Sequence, residues 1–205
     1  MITDPGARRN MQTKAAEQDP LKGYPHEIIL KDGTGVTLRC LRQGDEEALA
    51  EMFRHFSADE LWFLNDDVTE PAVVRNWIRH LDPARIVSIV ASLEGRIIGN
   101  AALMRKRFGA KSHIGKIRIM VDPAFRERRL GTWMLLDLIN LGMSMGLKAL
   151  VIRLVPDRDL MVIDGVRKLD FQEKAVLKDY VLDRSGQAHD LLIMMKHLPS
   201  RWNPF

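Results

Sequence analysis

Cysteine is almost missing from these 205 residues, with Cys40 standing alone. Neither a disulfide framework nor a cysteine-rich metal site can therefore form within one chain. The six histidines, His26, His55, His80, His113, His189 and His197, show no His-x-x-x-His spacing, so no metal is expected. Aromatic residues make up only 6% of the chain, and no stripe of them interleaves with basic residues. The net charge of +4, from 31 basic against 27 acidic residues, suits an anionic ligand but is too mild to imply a nucleic acid, which is not expected as a partner. The longest charge-poor run, Leu130 to Leu147, is broken by Asp137, Asn140 and Ser144 and falls short of the ~20 apolar residues of a membrane span. The N-terminus lacks the apolar core of a signal peptide, so no membrane association and a cytoplasmic location are expected. The phosphate loop Gly-x-x-x-x-Gly-Lys-[Ser/Thr] and the dinucleotide fingerprint Gly-x-Gly-x-x-Gly are also absent. What remains is a 46% apolar chain, long enough for one domain with a sizeable core.

The most informative stretch runs from Ile117 to Leu135. A β-branched run ends at Val121, Pro123 stops the ladder, a strongly basic loop follows, and an apolar helix begins at about Gly131. The first N–H groups of a helix have no internal partner and carry the positive end of its dipole, so an anion is stabilised there. Arg126, Arg128 and Arg129 add charge to that place, which predicts a phosphate-bearing ligand.

This stretch resembles the acyl-CoA loop of the Gcn5-related N-acetyltransferases, Val-x-Pro-x-x-[Gln/Arg]-x-x-Gly-x-[Gly/Ala] followed by a helix. Val121, Pro123, Arg126 and Gly131 fall on matching positions, whereas Arg129 stands where the family usually has glycine. A second resemblance, over Leu30 to Asp45 and Leu49 to Ser57, is to the acetyltransferase domain of bacterial protein-lysine acetyltransferases.

Read in order, residues 1–25 hold Pro5, Gly6, Pro20, Gly23 and Pro25 among polar side chains and predict a mobile N-terminal arm. Residues 26–198 read as a single domain. It opens with two strands around Asp32-Gly-Thr-Gly35, then a helix capped by Asp45, a capping box Ser57-Ala-Asp-Glu60, and a helix with Pro71 in its first turn. Trp62, Phe63 and Trp77 read as core, with an acceptor pocket as the alternative. Ile86 to Leu93 and Arg96 to Met104 form a hairpin across Glu94-Gly95, and His113 to Val121 is the next strand. A nearly all-apolar helix from Gly131 to Met145 ends at Gly146, and Lys148 to Val155 is a strand of the buried parallel type. Asp157 or Asp159 caps a last helix to about Leu169, and Phe171 to Asp183 with His189 to His197 form a closing hairpin. Pro199 to Phe205 is a short aromatic tail. The class expected is α+β, a mixed and mostly antiparallel sheet with helices on both faces.

The resemblance implies transfer of an acetyl or other acyl group from acyl-CoA to a primary amine by direct attack in a ternary complex. It implies that Ile119, Met120 and Val121 pair with the pantetheine arm through their backbone, and that Arg126, Glu127, Arg128, Arg129, Leu130, Gly131 and Thr132 bind the pyrophosphate. The strand glutamate that many members carry is missing from Lys116 to Val121, which leaves Asp122, His113, Glu173 and Asp190 as candidate bases. Setting Phe171 on the phenylalanine of the family's last-helix pattern Asn-x-x-Ala-x-x-x-Tyr-x-x-x-Gly-Phe places Asp159 on the asparagine, Val162 on the alanine, Val166 on the tyrosine and Asp170 on the glycine. Tyr180 is the remaining candidate for protonating the leaving sulfur, though a thiol of pKa near 8.5 leaves acceptably as thiolate. The acceptor expected is a protein lysine or a small amine, with the N-terminal resemblance pointing toward protein; basic side chains beside it would disfavour a cationic one, but the sequence alone does not place Lys116 or Arg118 relative to it. A homodimer is a further expectation. The alternative is a domain that keeps the fold and binds acyl-CoA as a sensor or regulatory module, catalytically weak or inactive.

Overall fold

The computed structural model describes residues 20–64 and 66–199. Eight strands, β1 (His26–Ile29), β2 (Gly35–Cys40), β3 (Ile86–Leu93), β4 (Arg96–Arg105), β5 (Ile114–Val121), β6 (Ala149–Leu154), β7 (Gln172–Leu182) and β8 (Ala188–His197), form one sheet in the order β1-β2-β3-β4-β5-β6-β8-β7. Every pairing is antiparallel except that of β5 with β6. Alternation along the strands sends side chains to two faces, and helices cover both. Helices α1 (Glu46–Arg54), α2 (Ala58–Trp62) and α3 (Pro71–Arg79) lie on one face, where Leu49, Met52, Phe53, Val74 and Ile78 pack with Val90 and Ile97. Helices α4 (Leu130–Ser144) and α5 (Pro156–Arg167) lie on the other, where Met134, Leu138, Ile163 and Val166 pack with Ile89, Ala101, Ile117, Ile152 and Met194. The α+β class and the placement of helices on both faces therefore hold.

Local chemistry explains the element ends. The capping box at α2 is complete: Ser57 Oγ accepts from the Glu60 N–H, and the Glu60 carboxylate accepts from the Ser57 N–H. Pro71 opens α3, and Gly146, at φ +71°, closes α4 in the left-handed region. The expected helix starts need three corrections. Asp45 occupies the N-cap position of α1, yet its carboxylate makes no cap and is held instead by Arg39, at 2.6 and 2.8 Å, and by the Arg42 N–H. Neither Asp157 nor Asp159 is the N-cap of α5. That position is Val155, with Pro156 in the first turn, and Asp159 reaches back to accept from the Val155 N–H at 2.7 Å. Helix α4 starts one residue earlier than expected, at Leu130, and leaves Thr132, Trp133 and Asn140 exposed.

Of the expected arm, residues 1–19 lie outside the described residues. Leu21 and Tyr24 pack against the core, and the Tyr24 hydroxyl donates to Asp137 on α4 at 2.9 Å. The tail beyond Pro199 also lies outside the described residues.

Candidate functional site

The one parallel pairing is short. Ile114 faces Ala149, Gly115 faces Leu150 and Lys116 faces Val151, and there it ends. Both strands run on, β5 paired with β4 as far as Val121 opposite Gly99, and β6 paired with β8 as far as Leu154 opposite Leu192. Held on their outer edges, they part along their inner ones. Gly115 sits at the closed end of the opening, where a Cβ would come within 2.6 Å of the Leu103 side chain, 2.8 Å of that of Leu147 and 2.9 Å of that of Leu150, so three leucines close over its bare backbone there. Among the described residues the edge of β5 from Ile117 to Val121 that faces β6 has no strand partner, and an extended chain of amides can add to such an edge.

The loop beyond Val121 brings a basic turn and the N-terminus of α4 to the end of that edge. Asp122 is buried, and its carboxylate accepts from the Ala124 N–H at 2.9 Å and lies 2.6 Å from His55 Nδ1. The chain turns through a single 3-10 turn, Pro123–Phe125, and then passes through two left-handed residues, Glu127 at φ +61° and Arg129 at φ +66°. Arg129 is the N-cap of α4, and its side chain makes no cap hydrogen bond. The first N–H groups of α4 are thus free to point at a ligand. Leu130 is buried and offers only its backbone, while Thr132 is exposed. The three arginines differ. Arg126 pairs with Glu60 at 2.7 Å, and Arg128 pairs with Asp32 at 2.8 Å over the ring of Phe125. Arg129 has no ion pair among the described residues and is exposed.

Alternation along β5 divides the residues at the opening. Ile117, Ile119 and Val121 pack toward α4, whereas Met120 packs with the α1–α3 cluster and Arg118 lies 5.3 Å from the ring centroid of Trp77 on α3. Lys116 is on that same face, and on β6 so is Arg153, since its neighbours Ile152 and Leu154 belong to the α4 side. Burial, together with the charges of Arg153 and Arg118, lowers the Lys116 pKa, and burial lowers that of Arg118. At the C-terminal ends of these strands α2 is braced against the β7–β8 hairpin and the start of α5. Trp62 Nε1 donates to the Leu182 carbonyl at 2.8 Å, Arg158 donates to the Asp59 carbonyl at 3.0 Å, and the Phe63 and His189 rings meet edge to face. His189 lies between Asp157 at 3.1 Å and Asp183 at 3.2 Å, which hold its pKa above the ordinary imidazole range. Burial acts to raise the pKa of Glu60, but the Ser57 N–H and Arg126 hold it below the usual carboxylate range.

The sequence candidates for proton transfer do not converge. His113 precedes β5 at the end away from the loop, where its carbonyl accepts from the Lys148 N–H. Glu173 is paired with Arg167, Asp190 with Lys178, and Tyr180 is exposed on the edge strand β7. Asp122 adjoins the loop, engaged as described. Val166 is buried in the α5 core, so that position projects no acid into the opening. Trp77 and Phe53 stack edge to face, as core aromatics do, whereas Trp62 is 53% exposed. Arg153 and His189 went unremarked among the sequence candidates, because only strand register and the hairpin's return bring them to this face. Among the described residues no group of three or more His, Cys, Asp or Glu side chains is arranged to hold a metal ion. Among the same residues no helix is long and apolar enough to cross a membrane.

No curated protein matches the sequence. The model of the acetyltransferase (GNAT) family matches residues 49–162. Among solved structures the chain is similar to the GNAT domain of S. lividans PAT, at 17% identity and a TM-score of 0.69, covering 85% of this chain and 97% of that one. A ribosomal-protein-alanine N-acetyltransferase from Brucella melitensis matches at 22% identity and a TM-score of 0.69, covering 78% and 99%. A phosphinothricin acetyltransferase from Sinorhizobium meliloti, solved in complex with AcCoA, matches at 19% identity and 0.70, covering 82% and 92%. At such identities the likeness is one of fold.

Proposed function

Since the chain belongs to the acetyltransferase (GNAT) family, we propose that it binds acetyl-CoA, or another acyl-CoA, in the opening between β5 and β6 and transfers the acyl group to a primary amine. The amine is a protein lysine or a small molecule, and attack is direct, within a ternary complex. The observation that carries the reading is the junction of an unpaired strand edge, Ile117 to Val121, with an uncapped helix N-terminus bearing the free Arg129. The two suit the two halves of one ligand, an amide-containing arm and a diphosphate.

Bound acyl-CoA supplies a thioester carbonyl; a neutral amine attacks it, the N–C bond forms, the C–S bond breaks, and the proton the attacking nitrogen sheds returns through solvent to the departing thiolate. The N–H groups of α4 and Arg129 hold the diphosphate, and Thr132 adds a hydroxyl. The β5 edge aligns the arm as an added strand, and an N–H near Met120 donates to the developing oxyanion. The ammonium must lose a proton before attack. Water relaying to Glu60 or Asp122, both beside the loop, serves that need without a dedicated strand carboxylate.

The second reading, an acyl-CoA sensor without turnover, is favoured by one feature: Val166 is buried where relatives of this type carry a tyrosine acid. Thiol release from acetyl-CoA, followed across a panel of primary amines, separates the two. The enzyme reading expects amine-dependent release at least about tenfold above hydrolysis. Micromolar binding with no amine-dependent release would leave the sensor.

A further inference from the structure

Resting on that reading of the groove, we infer that the acceptor is a small primary amine that carries its own oxyanion, a carboxylate or a phosphate, within a few bonds of the nitrogen. Lys116 and Arg118 are alternate residues of β5 on the face turned toward α3, and Arg153 lies two residues beyond Val151, the β6 partner of Lys116. Three cations therefore meet on one face where the strands part. None of them has a carboxylate within ion-pair distance among the described residues; the charge of Asp66 acts on Arg118 without an ion pair. Arg39, Arg126 and Arg128, by contrast, each have a carboxylate partner, Asp45, Glu60 and Asp32 respectively. Arg118 is half-buried against Trp77, where a charge without a counter-ion is costly. An anion brought in by the ligand offsets that cost.

The CoA phosphates do not fill this role. They belong to the α4 N-terminus, and Lys116 is five residues back from Val121 along β5, about 16 Å at the usual strand rise. The charge the three cations await is that of the second substrate. The same charges repel a diamine or a lysine flanked by basic residues. On the same face α2 is tied to the β7–β8 hairpin, through Trp62 to Leu182 and Arg184 to Asp59, and to α5, through Arg158 to the Asp59 carbonyl, and these ties disfavour an extended peptide lying across the opening.

The test is thiol release at saturating acetyl-CoA on matched amines: 4-aminobutyrate, its amide and 1,4-diaminobutane, then phosphoethanolamine against ethanolamine, and a lysine-rich peptide. The kcat/KM of the anionic member is expected to exceed that of its neutral partner by about tenfold or more, and that of the diamine by a wider margin. The two series separate carboxylate from phosphate. Arg118→Gln, and independently Arg153→Gln on the neighbouring strand, are expected to cut the anionic preference to about threefold or less. Equal or better turnover of the neutral amine, the diamine or the peptide would overturn the inference and leave the acetyltransferase reading standing. Bound acetyl-CoA with no amine accepted would overturn both.

Discussion

Gly131→Glu is expected to weaken acetyl-CoA binding about a hundredfold or more, roughly 2.8 kcal/mol, while the protein melts no lower than the parent. The two effects have opposite signs because they arise at one place. Gly131 is the second residue of α4, and the first intrahelical bond beyond the cap runs from the Trp133 N–H to the Arg129 carbonyl. A carboxylate at this position lies beside unpaired N–H groups and the positive end of the dipole, which stabilises the helix by about 0.3–1 kcal/mol. Replacing a helical glycine adds up to roughly 1 kcal/mol more. The same carboxylate competes for the N–H groups and repels a diphosphate. Size is separable from charge, since a Cβ at Gly131 would meet Val121 Cγ2 at 3.6 Å, an ordinary contact. Gly131→Ala is therefore expected to bind within about threefold of the parent, with Gly131→Gln between the two. Calorimetric titration and thermal melts of the three variants check this.

Asp45→Ala is expected to cost about 3–5 kcal/mol of stability, far more than a helix cap is worth. Asp45 is 6% exposed, and both its carboxylate oxygens accept from Arg39, so removing the carboxylate leaves a half-buried guanidinium without its counter-ion, with only the Cys40 carbonyl as partner among the described residues. Asp45→Ser discriminates. Serine is a good N-cap, so a capping role predicts recovery to within about 1 kcal/mol, whereas the ion pair predicts a loss close to that of alanine. The pH dependence has a definite sign. Burial acts to raise the Asp45 pKa, but the hydrogen bonds from Arg39 and Arg42 outweigh it and hold the folded value below the ordinary 3.8. Its contribution is therefore present above pH 3.8 and lost as pH falls through the lowered folded value. Urea titrations of parent and Asp45→Ala at pH 7 and pH 3 are expected to show the gap narrowing in acid.

Legibility from sequence followed the range of the interactions. The capping box at Ser57, the proline at 71, the Glu94-Gly95 turn and the Gly146 stop are local devices, written within a few residues, and each lies where the sequence puts it. Asp45 and Asp159 depart from the capping expectation because a carboxylate near a helix start has several donors in reach, here the Arg39 guanidinium six residues back on β2 and the Val155 N–H four residues back, and sequence does not choose among them. Two departures from the family pattern are informative. Arg129 and Asp170 replace glycines, yet both take the left-handed conformation a glycine would take, at φ +66° and φ +62°. The side chain changed and the backbone path did not, at a cost of roughly 1–2 kcal/mol each. The cationic face was beyond reach of the sequence. Lys116 and Arg118 are visible there as alternate residues, but that Arg153 joins them follows only from the register of β5 on β6. The α2 brace depends likewise on the return of the β7–β8 hairpin, more than a hundred residues later.

Whether one ligand occupies the β5 edge and the α4 N-terminus together is tested directly by backbone amide resonances followed by nuclear magnetic resonance during titration with acetyl-CoA. Saturable shifts at Ile119, Met120, Val121, Gly131 and Thr132 are expected in one binding event, with little change at Phe108 and His113 at the other end of β5. Shifts at the α4 residues without any along β5, or none at either at millimolar acetyl-CoA, would contradict that shared occupancy.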